Sequence, residues 1–213
     1  MPRYRPEPIH RHDSTPRTGV LLVNLGTPAA PTAAALRPYL KQFLSDPRVV
    51  EIPRLVWWPI LNGIILNTRP KASAQKYASI WTDEGSPLLV HTVRQTKLLA
   101  GYLAKDGYDG LDIDYAMRYG APAIGDTLDA MRARGCTRIL VVPMYPQYSA
   151  STTATVVDEV GRSLAQWRNQ PEMRFVRNFH DDPGYIGALV RSVREHWMVN
   201  GEPERLLLSF HGV

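Results

Sequence analysis

Four short motifs with side chains that could bind a ligand or accept a proton each follow an apolar stretch of the sequence. Asn24–Pro28 (NLGTP) follows the first stretch, Arg118–Gly120 (RYG) the second and Met144–Ser149 (MYPQYS) the third, while His211 follows the last. If these stretches are parallel strands, their carboxyl ends meet at one edge of the sheet, where open α/β proteins bind ligands. The sequence therefore predicts a pocket lined by tyrosine, arginine and histidine.

Each motif also has a purely structural interpretation. Gly26 and Pro28 are ordinary turn residues, and Gly-Thr-Pro lacks the Gly-Lys-Ser/Thr ending of a phosphate-binding loop. Tyr145 and Tyr148 could simply cover the end of the sheet. A single histidine is more often structural than catalytic, but the place of His211 directly after an apolar strand supports the two interpretations about equally.

The apolar stretches alternate with longer segments that have the pattern of helices. Strands that alternate with helices of about ten or more residues indicate βαβ units and a parallel sheet. We therefore predict an α/β fold with a flavodoxin-like, doubly wound parallel sheet. Strands are expected at Gly19–Leu25, Leu111–Met117, Arg138–Pro143, Met173–Arg177 and Leu206–Phe210, and helices at Ala33–Leu44, Leu88–Ala104, Pro122–Arg134, from near Ser151, and at Asp182–Val199.

Two of these elements have a side-chain pattern that predicts which face is buried. In the strand Leu111–Met117, Asp112 and Asp114 point away from the apolar side chains, which indicates a half-exposed strand. In the helix Leu88–Ala104, an apolar face is available from Leu88, Val93, Leu98, Leu99 and Leu103.

The composition argues against several classes of protein. The net charge is +5, but the cations are scattered rather than gathered in a block, which argues against nucleic-acid binding. The sequence contains no run of about 18 apolar residues, so it predicts no membrane-spanning helix. The single cysteine, Cys136, is expected to be a buried thiol. We expect residues 1–18, which are rich in arginine and proline, to be a disordered leader on a cytoplasmic protein.

The motifs NLGTP, MRYG, YPQYSASTT and SFHG occur here in the order in which they occur in ferrochelatases, and the sequence resembles that family from Gly19 to Val213. The Arg69-Pro70-Lys71 element and the turn Gly85–Leu88 fit the same resemblance. The resemblance implies an enzyme that inserts Fe²⁺ into protoporphyrin IX to form protohaem. Porphyrin and ferrous iron would be its substrates, and no bound prosthetic group is expected.

The resemblance also implies roles for individual residues. The histidine of SFHG, His211, would bind the metal or accept the pyrrole protons. Arg118, Tyr119 and Tyr145 would line the porphyrin cleft, and Leu25 would meet the face of the macrocycle. The metal-site glutamate of the family would lie beyond the end of this sequence.

Ferrochelatases have two similar flavodoxin-like domains with the porphyrin cleft between them. By this resemblance we expect the first domain over residues 19–170. Residues 171–213 would then be the start of a second domain that is incomplete in this sequence, so that the fragment alone is expected to be inactive.

The apolar stretch Leu55–Leu66 is the best candidate for a wall of the cleft, because a flat apolar ring needs apolar walls. Pro59 and Gly63 predict that it forms a poor regular helix. We expect a mobile lip over the porphyrin mouth that could also touch a membrane surface. An ordinary buried helix is the alternative.

Within and after this stretch lie four further candidates for porphyrin binding. Trp57 and Trp58 could contact the ring, and the cations Arg69 and Lys71 could meet its propionates.

Two other functions remain open on the sequence. One is a related chelatase that acts on another metal or tetrapyrrole. The other is a flavodoxin-like module that binds a tetrapyrrole without catalysis. The sequence also leaves open the choice between protoporphyrin and coproporphyrin and the oligomeric state.

Overall fold

A single parallel sheet organises the fold. The computed structural model describes residues 4–9 and 15–211. The strands are β1 (Arg17–Gly26), β2 (Leu111–Tyr119), β3 (Cys136–Pro143) and β4 (Glu172–Phe175), in the order β2-β1-β3-β4. Every neighbouring pair is parallel. This order matches the first four strands of a flavodoxin-like sheet, so the predicted α/β fold is confirmed.

The helices begin and end close to where local sequence signals place them. Thr32 caps the first helix, where its hydroxyl accepts a hydrogen bond from the Ala35 N–H at 3.3 Å. Asp182 caps the last helix in the same way, through the N–H groups of Gly184 and Tyr185. The helices are α1 (Ala33–Leu44), α2 (Arg54–Ile60), α3 (Leu66–Ala78), α4 (Pro87–Lys105), α5 (Ile124–Ala133), α6 (Thr155–Leu164) and α7 (Pro183–Asn200), with π-turns at Leu61–Ile65 and Ala150–Ala154.

Helices cover both faces of the sheet. Leu21 and Val23 of β1 belong to a buried cluster with α5 and α6, whose largest member is Trp167. Asn24, on the alternate face of β1, donates a hydrogen bond to Thr92 of α4. The sheet is therefore doubly wound, and its carboxyl edge is left to loops.

One of the two aspartates of β2, Asp112, departs from the predicted half-exposed pattern. Asp112 is buried, because Arg134 donates two hydrogen bonds to its carboxylate, at 2.6 and 2.8 Å. Arg134 also reaches Asp114 at 2.8 Å. Charge pairing thus allows a polar side chain to lie where the alternation pattern alone predicts solvent.

The predicted strand Leu206–Phe210 is wrong. These residues form no strand, and all four of their apolar side chains are at least half exposed, up to 88% for Leu207. A strand needs a neighbouring backbone to satisfy its N–H and C=O groups. Within residues 4–9 and 15–211 no strand lies beside this segment, and the short β4 pairs with β3.

The lip segment is more regular than its sequence predicts. Arg54–Ile60 is α-helical despite Pro59, and the chain continues through the π-turn Leu61–Ile65 into α3. The prediction of a poor helix is wrong for α2, but Gly63 does lie in a stretch that departs from α-helical hydrogen bonding. In the described part of the chain, no helix is long and apolar enough to cross a membrane.

Residues of the predicted leader make several contacts in the structure, and β4 lies directly after the predicted domain boundary. The Arg5 backbone N–H donates to the Gln166 carbonyl at 2.8 Å, and Glu7 pairs with Arg132. Residues 17 and 18 already belong to β1. Residues 1–3 and 10–14 of the predicted leader lie outside the described residues. β4, which follows the predicted boundary at residue 171, joins the same sheet as β1 to β3, and the domain division stays a prediction.

Candidate functional site at the carboxyl edge of the sheet

The first two motifs are held against each other by glycines. Gly26 pairs with Tyr119 across β1 and β2, and its φ is +107°. A Cβ on Gly26 would lie 1.7 Å from the Tyr119 carbonyl oxygen, and one on Gly120 would lie 2.7 Å from the Thr27 carbonyl oxygen. Both positions therefore need glycine, since any side chain would push the ends of the two strands apart.

Three of the predicted site residues lie together in one apolar cluster. Tyr119 is fully buried there, and Leu25 and Trp57 pack against it, each only partly buried. The ring of Phe43 meets the Tyr119 ring edge-on, with the centroids 5.1 Å apart. The end of β1, the end of β2 and helix α2 thus meet in a surface of leucine and aromatic side chains.

Arg118 is buried and paired with carboxylates. Its Nη2 donates to Asp46 Oδ2 at 2.5 Å, and its Nη1 lies 3.5 Å from Glu159 Oε2. The Tyr119 hydroxyl donates to the same Asp46 oxygen at 2.9 Å. Burial is the main cause that raises the pKa of Tyr119 above its ordinary value, and it stays a hydrogen-bond donor at neutral pH.

Tyr145 follows β3 and packs against the cluster of Leu21 and Val23. It also lies within electrostatic reach of Tyr119 and Arg118. Burial raises the pKa of Tyr145 above its ordinary value. Its hydroxyl, the Thr27 hydroxyl and the Arg118 Nε are buried without a hydrogen-bond partner among the described residues. Buried polar atoms are normally paired, so this edge suits a ligand or water that can bond to them.

The two tryptophans of the lip differ in their surroundings. Trp57 donates from Nε1 to the Leu44 carbonyl at 2.7 Å, whereas Trp58 is 57% exposed. Both line a shallow groove of about 30 Å³, which has room for about one water molecule. Trp57 therefore anchors α2 to the end of α1, and Trp58 is the one presented to the outside.

Arg69 and Lys71 lie exposed on α3, on either side of the buried Pro70. Pro70 has no N–H to donate to the Leu66 carbonyl, four residues earlier. Arg37 of α1 fills that role, with its Nη1 2.7 Å from the Leu66 oxygen. This contact fixes the helix that carries both cations.

His211 is not brought to the other candidates. It is exposed, and within the described residues it makes no hydrogen bond or ion pair. The described residues also contain no group of three or more histidine, cysteine, aspartate or glutamate side chains that could hold a metal ion. A metal site at His211 stays a prediction.

A wide cavity lies at the opposite, amino end of the strands. Its volume is about 960 Å³, and Arg132, Arg134 and Cys136 are among its lining residues. Both arginines are already paired with carboxylates, and burial raises the pKa of the Cys136 thiol to about 11. These groups are therefore not arranged as a second ligand-binding set.

Two residues of this edge were missed by sequence reasoning. Asp46 accepts a hydrogen bond from Arg118, which lies 72 residues away along the chain. Arg37 donates a hydrogen bond to the Leu66 carbonyl, 29 residues away. Pro70 lies in α3, a helix that the sequence did not predict, so the carbonyl that Pro70 leaves without a donor gave no signal for Arg37.

Fold and site together define a doubly wound α/β protein with aromatic side chains and a buried, paired arginine at the carboxyl ends of β1 and β2, the candidate ligand edge. The family model for ferrochelatase matches residues 17–213. The chain is 72% identical over 213 residues to the ferrochelatase of Azoarcus sp. (strain BH72) and 70% identical to that of Aromatoleum aromaticum. It is 57% identical to that of Nitrosomonas europaea. The chain belongs to the ferrochelatase family.

The matches cover the whole of this chain but only part of its relatives. The chain spans 58% of the length of each of the three.

Proposed function

We propose that the protein inserts Fe²⁺ into protoporphyrin IX to form protohaem. The observation that carries this proposal is the ferrochelatase match over residues 17–213, which includes every predicted site residue. The aromatic edge supports it, because the partly exposed Leu25 and Trp57, with Tyr119 buried in the same cluster, offer the kind of apolar surface that a flat macrocycle needs. Porphyrin and ferrous iron are the proposed substrates, with no resident prosthetic group.

Metal insertion requires that two pyrrole protons leave as the iron takes up four ring nitrogens. An imidazole can accept such a proton or bind ferrous iron directly. His211 is the proposed group for this step, on the strength of the SFHG motif. Arg118, already paired with Asp46 and Glu159, is proposed to hold the cleft wall and steer substrate rather than transfer protons.

The outer face of the lip is proposed to touch a membrane surface and the porphyrin mouth. Leu55, Trp58 and Ile64 support this, since their side chains are 93%, 57% and 58% exposed. Exposed apolar side chains on one segment favour contact with an apolar partner. Arg69 and Lys71, exposed on the same helical run, are proposed to meet the propionates.

We further propose a cytoplasmic location. The sole cysteine of the chain, Cys136, is a buried free thiol. A single unpaired cysteine is in keeping with a reducing compartment.

A second candidate function is porphyrin binding without catalysis by this chain alone. The exposed position of His211, away from Leu25, Trp57 and Tyr119, favours it. Leu25 and Trp57, which are only partly buried, could contact a ring without a proton acceptor.

One graft tests both candidates. The matched segment of the Azoarcus sp. relative is replaced by this chain, and metalloporphyrin formation is followed with and without His211→Ala. We expect the graft to be active and His211→Ala to lower turnover by about a hundredfold or more, the usual share of a general base. His196→Ala, at an exposed histidine on α7, is the matched control and should change nothing.

Porphyrin binding is measured in the same samples by fluorescence. A graft that binds porphyrin but inserts no metal would favour the binding module. Turnover of His211→Ala within about threefold of the parent graft would remove His211 from proton transfer.

A further inference from the structure

The loop between α1 and α2 is tied to the carboxyl edge of the sheet by ionic contacts at two points. At the first, the buried Asp46 carboxylate accepts hydrogen bonds from Arg118 and Tyr119. At the second, Arg48 pairs with Asp158 of α6, with its Nη2 3.0 Å from Oδ1. Three separate elements, the loop, β2 and α6, are therefore joined by charged side chains.

Asp46 also shapes the loop from within. Its other carboxylate oxygen, Oδ1, accepts from the Arg48 N–H at 2.9 Å. Its carbonyl oxygen accepts from the N–H groups of Val49 and Val50, each at 3.0 Å. One residue thus uses both side chain and backbone to set the path of the chain that leads into α2.

The loop is short and leads directly to the lip. α2 begins at Arg54, only a few residues after this turn, and Trp57 then anchors it to Leu44 at the end of α1. Any shift of the loop against β2 would therefore move Trp57 and Trp58 relative to Arg118 and Tyr119. Since a buried charge pair is costly to break, the Asp46–Arg118 contact favours a single arrangement of these elements.

We infer that Asp46 is a positioning residue, which together with the Arg48–Asp158 pair sets the place of the lip helix α2 relative to Arg118 and Tyr119. Its importance for the reaction rests on the proposed function; the placement itself does not. Asp46 acts through Arg118 and Tyr119 and through the loop, rather than by touching the substrate.

The placement is tested first without any activity. Nitroxide labels on Leu55→Cys and Ala165→Cys, with Cys136→Ala to leave no other thiol, report the distance between α2 and α6. We expect a narrow distance distribution in the parent and a broad or shifted one in both Asp46→Asn and Arg48→Gln. Arg94→Gln breaks another exposed ion pair, with Glu84, and is the matched control that should leave the distribution narrow.

Arg48→Gln keeps the test decisive if Asp46→Asn unfolds the protein. The Arg48–Asp158 pair is about as exposed as many surface pairs, which contribute little to stability, so this variant should keep the parent melting temperature. A narrow, unshifted distribution in folded Arg48→Gln and Asp46→Asn would overturn the inference. If only Arg48→Gln folds, its distribution decides.

The functional consequence is measured in the graft described above. We expect either variant to raise the KM for porphyrin by about tenfold while kcat stays within about twofold, because displaced binding residues weaken substrate binding. If the distance distribution between α2 and α6 broadens but the active graft keeps its KM and kcat, the role of Asp46 in the reaction is overturned. A parent graft without activity would refute the proposed function, while a broadened distribution would still establish the placement.

Discussion

Asp112 couples the stability of the folded protein to pH through one carboxylate on β2. The two hydrogen bonds from Arg134 are the main cause that lowers the pKa of Asp112 below its ordinary value. In the unfolded chain an aspartate has a pKa of about 3.9. The stabilisation is therefore complete above about pH 4 and is lost as the pH falls through the lower folded-state pKa.

We expect Asp112→Asn to lower the free energy of unfolding at pH 7 by about 2 kcal/mol, the size of a hydrogen bond to a charged group. The difference from the parent should shrink as the pH falls below about 4, since the parent carboxylate becomes protonated as well. Urea unfolding from pH 7 to pH 2 measures it, with the exposed Asp109→Asn as control. A difference that stays constant over this range would contradict the pairing.

At the residue scale, the sequence predicted those site residues that stand in a local motif. It missed those whose role depends on partners distant along the chain. Gly26 and Gly120 stand in recognisable motifs because a close backbone contact excludes every other residue. Asp46, in the loop after α1, carries no such mark, since its partners Arg118 and Tyr119 belong to β2, which is distant in sequence. No pattern within the loop indicates that its carboxylate is buried.

At the scale of elements, the contact between α1 and α3 includes one arginine, Arg37, that replaces a missing backbone donor. We expect Arg37→Ala to lower the free energy of unfolding by about 1 to 2 kcal/mol, because the Leu66 carbonyl then loses its donor. Pro70→Ala should recover part of the loss, since alanine supplies the N–H. Thermal or urea unfolding of both single variants and the double variant measures the coupling.

Pro59 provides the matched control for this cycle. Pro59→Ala also restores a helical N–H, but its acceptor belongs to the exposed Leu55 and has no contact with Arg37. The effects of Arg37→Ala and Pro59→Ala should simply add. If the effects of Arg37→Ala and Pro70→Ala on the free energy of unfolding also simply add, Arg37 does not replace the missing donor.

Elements whose ends are marked by local chemistry were predicted well. α1 and α7 begin directly after Thr32 and Asp182, as their capping side chains indicate. The buried face of α4 was predicted less well, because Thr92 and Thr96 lie against the sheet while Leu98 is 59% exposed. Both threonine hydroxyls bond to carbonyls of their own helix, which lets them pack as if they were apolar.

At the scale of the whole molecule, apolar side chains are concentrated at the carboxyl end of the described chain. Met198 and Val199 at the end of α7 and Leu207 and Phe210 beyond it are each at least 72% exposed. Exposed apolar side chains in such number favour association. We expect residues 1–213 to self-associate at micromolar concentration, and Leu207→Lys with Phe210→Lys to reduce the mass measured by light scattering.

Leu55→Lys is the control for this prediction, because Leu55 is equally exposed but lies on the lip. It should reduce the mass less than the pair at the carboxyl end. A chain that stays monodisperse and monomeric over the whole concentration range would contradict the prediction.

The π-turn at Leu61–Ile65 lies between Trp58 on α2 and the two cations Arg69 and Lys71 on α3. A π-turn accommodates one residue more than an α-helix does over the same hydrogen-bonded stretch, and each residue of a helix turns the chain by about 100°. The wider turn takes up that extra residue, so Arg69 and Lys71 lie where residues one position closer to Trp58 would lie in an unbroken α-helix. A deletion of one residue between 61 and 65 would therefore let the helix run through without interruption and leave both cations on about the same side of the helix relative to Trp58.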